Sequence, residues 1–195
     1  MPVTATSRRP LIHVTLLLCV GVLTSACSSI GSPAPPEESA PSHTVYISGV
    51  PFFPQLADQC GPASLAAVLN YWGKGVTPDE IATAIYSPRL KGTLSLDMWQ
   101  YAQKQQLQAD MRKGSIQDLE RHLAKNIPVI AFLNLGLDWL PVGHFVVVVG
   151  LDQMDRAVIT YNGVKQNSRI SYDRFLHAWE KTNYWTLVVQ PPKEV

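Results

Sequence analysis

Hydrophobic spacing changes period once along this chain, and that change bounds the fold. Between 61 and 72, Leu65, Val68, Leu69 and Trp72 recur at helical spacing, with Pro62 in the first turn, where a missing N–H costs nothing. Thr77-Pro78-Asp79-Glu80 has the form of a capping box opening a short helix to about Tyr86. Ser95 is expected to cap a helix carrying Leu96, Trp99 and Ala102, and Ser115 another carrying Ile116, Leu119 and Leu123. Residues 87–92 read as a loop and 107–111 as a short strand. Beyond 128 the helical period gives way to continuous β-branched and aromatic runs at 128–133 and 144–151, as in buried strands. Residues 152–156 read as a turn and 157–161 as the returning strand of a hairpin; a helix over 171–179 and a strand over 184–190 close the chain. Helices first and a mostly antiparallel sheet afterwards predict an α+β fold.

The first residues read as a targeting segment. Arg8 and Arg9 precede an apolar run from Leu11 to Leu23, and Thr24-Ser25-Ala26 leads into Cys27, so 1–26 has the pattern of a secretory signal. The run is shorter than the ~20 apolar residues of a membrane-spanning helix. Small residues directly before Cys27 resemble the lipobox of bacterial lipoproteins, with Thr24 where leucine is commonest. That resemblance implies cleavage before Cys27 and a lipid anchor on it. It also implies the outer membrane in a Gram-negative source, because Ser28 stands where an aspartate would signal retention in the inner membrane. Residues 27–44 are rich in proline and serine without apolar periodicity and read as a tether. The remaining 45–195 have the length of one domain with its own core.

The whole chain carries a formal charge of +1, and loss of the two signal arginines leaves −1. Such a balance, without a basic run, gives no reason to expect a nucleic-acid partner. Trp72-Gly73-Lys74-Gly75 lacks the glycine and hydroxyl of a phosphate loop, so no nucleotide is expected. Once Cys19 leaves with the signal and Cys27 carries lipid, Cys60 is the one remaining thiol, and no disulfide framework is available. One cysteine and one histidine do not complete a zinc shell, and no cofactor is expected.

Cys60 begins the first predicted helix, and His144 leads the valine-rich strand. A thiol is nucleophilic as thiolate, and both a helix N-terminus and an imidazolium neighbour lower its pKa. His144 would then act as base and later as acid toward a leaving amine. Alternation along the strand puts His144, Val146 and Val148 on one face. A turn centred near Met154 sets Asn162 opposite or diagonal to His144, within reach to orient the ring. Asp152, the competing carboxylate, falls at the turn and is assigned to turn chemistry. The Cys60 N–H and the Gln55 amide are candidate donors to an oxyanion, with Gln59 pointing elsewhere. Trp139 in the loop before His144 is open to two readings, cleft wall or loop packing.

The blocks Gln55-(four residues)-Cys60-Gly61-Pro62-Ala63 and Gly143-His144-Phe145-Val146-Val147-Val148-Val149-Gly150 resemble the bacteriocin-processing, double-glycine leader peptidases, a papain-like cysteine peptidase family. The likeness spans roughly 50–189. It implies a papain-like fold, with Cys60 as nucleophile, His144 as base and Gln55 as oxyanion donor, acting on a peptide or protein. The family's third member is usually an aspartate in an Asp-Pro pair. The matching stretch here reads Thr160-Tyr161-Asn162-Gly163, and papain-like enzymes use asparagine in that role. Typical members are fused to an export transporter with an ATPase, whereas this chain is more similar to a stand-alone lipoprotein branch. Two alternatives stay open: acyl transfer to an amine instead of water, and a peptide-binding module that keeps the cleft without activity.

Overall fold

The computed structural model describes residues 44–55 and 58–192. The predicted signal at 1–26, the lipidation site Cys27 and the tether as far as 43 lie outside the described residues.

The chain enters through β1 (Thr44–Tyr46) and an extended stretch to Gln55, then forms α1 (Cys60–Tyr71). Every residue of α1 from Gly61 to Leu69 is buried, Ser64 the one polar side chain among them, so this helix sits inside the molecule. Next comes α2 (Pro78–Ile85), and its capping box forms as the sequence predicts, with Thr77 and Glu80 each bonding the other's backbone N–H. Residues 87–92, expected as a loop, instead belong to a small hairpin of β2 (Tyr86–Ser87) and β3 (Gly92–Thr93). Helix α3 (Ser95–Lys104) has Leu94 at its N-cap, without a side-chain cap bond. Ser95 is thus the first helical residue and not the cap. After β4 (Gln108–Lys113), Ser115 does cap α4 (Ile116–Leu123), accepting from the Asp118 N–H.

The second half supplies the sheet: β5 (Val129–Asn134), β6 (Gly143–Asp152), β7 (Ala157–Asn162), β8 (Lys165–Ser171) and, after α5 (Tyr172–Glu180), β9 (Trp185–Gln190). Seven strands run in the order β4-β9-β5-β6-β7-β8, with β1 also on β6, and every pairing is antiparallel. The α+β expectation therefore stands, with β8, like the β2–β3 hairpin, a strand the sequence did not announce.

One irregularity aims a side chain. Between β6 and β7 the register shifts from Val148↔Thr160 to Gly150↔Ile159, so Val149 is an extra residue on β6. A one-residue slip turns side chains to the other face. With the bulge, Val147↔Tyr161 holds, and one further step sets Asn162 across from Val146, diagonal to His144 and on its face. Gly150 serves the same bend. A Cβ there would lie 2.8 Å from the Val45 carbonyl, so β1 could not approach β6.

Candidate active site

Three separate parts of the chain meet at the first turn of α1. Cys60 is half-buried at the helix start, where the backbone amides of Phe145, Gly61 and Cys60 itself act to favour its charged form. Two of these amides belong to the helix start, whose N–H groups have no partner within the helix. The third belongs to the residue after His144, on the strand that lines the same cleft as the thiol. Cys60 and His144 line one cleft of about 560 Å³, together with Gln55, Thr93, Val142 and Gly163.

His144 Nε2 is 2.7 Å from Asn162 Oδ1. An amide oxygen only accepts, so Nε2 carries the hydrogen and Nδ1 is left as the basic nitrogen. Gln55 is clamped from the far side of the same turn. Its Oε1 accepts from the Gly163 N–H at 3.0 Å, and its own N–H donates to the Gly163 carbonyl at 3.0 Å. The opposite end of the amide, Nε2, makes only long bonds of 3.4 Å, to Ser64 Oγ and the Phe145 carbonyl. Its N–H bonds are held in direction but weakly used. Gly163 reaches these bonds from a turn with φ at 61°, a conformation natural to glycine at the first position of a tight hairpin.

Burial decides the charges. Loss of water pushes the Cys60 thiol up from its ordinary 9.0, outweighing the nearby backbone amides that favour the charged form, with Asp58 adding a smaller push upward. Burial also lowers His144 below its ordinary 6.5, partly offset by the bond to Asn162. Both shifts favour an uncharged pair. Burial thus acts against the expected lowering of the thiol by helix and imidazolium.

The four residues singled out from the sequence, Gln55, Cys60, His144 and Asn162, are thus brought together. Asp152 lies elsewhere, accepting from the Asp155 N–H at 3.0 Å and from Arg169 Nη2 at 2.8 Å. Trp139 is 78% exposed and does not line the cleft; Val142 does. The loop bearing Trp139 is fixed by Asn134 Oδ1, which accepts from the N–H groups of Gly136 and Val142 at 2.9 Å each. Sequence reasoning missed Ser64, Gly163 and Thr93. Ser64 follows Cys60 by four residues and so shares its helix face, a signal that was available. A larger cavity of about 860 Å³ borders Asn162 and Gly163 but holds neither Cys60 nor His144. Among the described residues, no three histidine, cysteine or acidic side chains group as a metal site would, and no helix is long and apolar enough to cross a membrane.

A family model described as the Peptidase_C39 like family matches residues 47–187. A C39-like peptidase from Bacillus anthracis shares the fold with a TM-score of 0.64 at 21% identity, over 78% of this chain and 100% of that one. The peptidase domain of Streptococcus ComA, a bi-functional ABC transporter of a quorum-sensing pathway, gives 0.61 at 21% identity, over 74% and 100%. A double glycine motif protease from an AMS/PCAT transporter, solved in complex with its leader peptide, gives 0.58 at 23% identity, over 75% and 95%. No curated relative matches the chain.

Proposed function

The chain belongs to the peptidase C39-like family, and from that premise we propose that it is a cysteine peptidase that hydrolyses peptide bonds through a thioester on Cys60. The observation that carries this reading is the presence, in one cleft, of a thiol and of a histidine whose outer nitrogen is engaged by Asn162. Sulfur attacks the scissile carbonyl carbon while its proton passes to His144 Nδ1. The carbonyl π pair moves onto oxygen, which takes hydrogen bonds from the Cys60 N–H and Gln55 Nε2. Collapse of that adduct breaks the C–N bond, and the imidazolium gives its proton to the departing amine. Water, deprotonated by His144, then splits the thioester and returns the thiol. Asn162 holds the ring and steadies the imidazolium in both halves.

An uncharged resting pair suits this sequence. The thiol proton leaves as the carbonyl arrives, and no buried ion pair has to persist in the empty cleft. A peptide occupant is supported by the similar protease solved with a leader peptide. The test is covalent labelling of the full chain with acetyl-tripeptidyl chloromethyl ketones, followed by peptide mapping. Modification at Cys60 that His144→Ala abolishes is expected; labelling that ignores that change would remove the enzymatic reading and leave a peptide-binding module. Adding a free amine to a peptide digest separates hydrolysis from acyl transfer by the mass of the product.

We further propose, from the sequence alone, that the enzyme is exported and held on the membrane by lipid at Cys27, facing the periplasm from the outer membrane in a Gram-negative cell. Cys27→Ser should release it into the soluble fraction; continued membrane association of that variant would refute the anchor.

A further inference from the structure

Thr93 Oγ1 is fully buried and has no hydrogen-bond partner, alone in this among the side-chain oxygens and nitrogens of the described residues. It is also on the wall of the cleft that holds Cys60. Buried hydroxyls nearly always find partners, and a valine would fill the same space without stranding a polar atom. A hydroxyl kept there without a partner points to one that the empty cleft lacks.

Its position is fixed by the nucleophile's own turn. A Cβ placed on Gly61, the residue after Cys60, would come within 2.9 Å of Thr93 Cβ and 3.1 Å of Oγ1. Glycine at 61 is what lets the threonine pack directly against the start of α1. On the backbone side, Thr93 is held by β2, with Tyr86 opposite. Rotation about χ1 is the movement that would turn the hydroxyl toward an occupant of the cleft.

We propose that the Thr93 hydroxyl is a substrate-binding group that hydrogen-bonds the main chain of the peptide lying in the cleft. A peptide enclosed there brings N–H and C=O groups that lose water and need partners, and a threonine hydroxyl donates or accepts as required. Because the bond is to main chain, it gives affinity and alignment without selecting a side chain. This assignment rests on the peptidase reading of the same cleft.

The test uses the full chain with Thr93→Val, which keeps shape and removes the hydroxyl, and Thr93→Ser, which keeps the hydroxyl. Two reagents alkylate Cys60 by displacement of halide: acetyl-tripeptidyl chloromethyl ketones ending in glycine or alanine, and iodoacetamide, which has no peptide main chain. Thr93→Val should react roughly tenfold more slowly with the peptidyl reagents, the loss of one good hydrogen bond. It should react at the wild-type rate with iodoacetamide and melt no lower than wild type, since no bond within the free protein is lost. Thr93→Ser should stay near wild type with both. Wild-type rates for Thr93→Val with the peptidyl reagents, or equal slowing with both reagents, would overturn the proposal. Failure of the peptidase reading shows itself separately, as wild type and His144→Ala reacting alike with the peptidyl reagents, and would take this assignment with it.

Discussion

Asn162 Oδ1 and His144 Nε2 stand 2.7 Å apart, joined across two strands whose register is set by the extra residue Val149. The bond gives Asn162 two separable effects, orientation of the ring and support of its charged form. Asn162→Ala should lower kcat by about a hundredfold through loss of the oriented tautomer. It also removes the one interaction that raises the His144 pKa, so the acid limb of kcat/KM should move to lower pH. Asn162→Asp places a carboxylate beside the imidazole and should move that limb upward. A variant series that changes kcat with no movement of the limb would reduce Asn162 to a packing role.

The uncharged resting pair makes its own prediction. Burial raises the thiol and lowers the imidazole, and both shifts favour the uncharged forms at neutral pH. Alkylation of Cys60 by iodoacetamide, which reads thiolate, should therefore keep climbing as pH rises past the ordinary thiol value of 9.0. Peptide hydrolysis needs the neutral imidazole and the protonated thiol together. Its kcat/KM should be flat across neutrality, falling on the acid side with a midpoint below 6.5 and on the alkaline side above 9.0. An alkylation rate already flat from about pH 5 to 8 would reveal a standing ion pair, and would mean that the charged forms are far better solvated in the cleft than their burial suggests.

Much of this arrangement is legible in the sequence, and the reasons are particular. β6 announces itself because a strand buried on both faces must be continuously apolar, and His144 is conspicuous at its head. The diagonal pairing with Asn162 followed from counting back from a turn at Met154, which the bulge happens to preserve. β8 was not legible because an exposed edge strand reading Lys165-Gln166-Asn167-Ser168-Arg169 carries no apolar alternation; its charges and polar groups are what keep such an edge from pairing with another chain. The clamp of Gln55 by Gly163 joins residues 108 positions apart through backbone groups, which side-chain patterns do not encode. The direction of the Cys60 shift depends on how much water the fold removes, a property of packing alone.

Gln55 offers a test of the oxyanion assignment that separates donor from acceptor. Its Oε1 is occupied by the Gly163 N–H, so the amide is held with Nε2 free to strengthen a bond to developing charge. Gln55→Ala should cost about 10²–10³ in kcat with little change in KM, the pattern of an interaction made mainly in the transition state. Gln55→Glu keeps the acceptor for Gly163 but replaces the donor with a carboxylate facing the oxyanion, and should be at least as damaging. If Gln55→Glu were near wild type, the amide would be structural.

Gly114 gives a stability prediction away from the cleft. It sits between β4 and the cap of α4, and a Cβ there would lie 2.7 and 2.8 Å from ring carbons of Trp179, which is fully buried. The ring is held in place, because its Nε1 donates to the Trp185 carbonyl at 2.9 Å and it packs against the rings of Phe175 and Tyr184. Thr186 Oγ1 would be nearer still, at 2.5 Å, and is itself buried and held by the Tyr184 carbonyl. One added methyl therefore forces backbone to move or the aromatic cluster to repack, at a cost of about 1–3 kcal/mol. Gly114→Ala should lower the denaturation midpoint by a matching amount while leaving the rate of Cys60 modification by peptidyl chloromethyl ketones unchanged in the folded protein. An unshifted midpoint would mean that the junction of β4, α4 and α5 has slack that these distances deny.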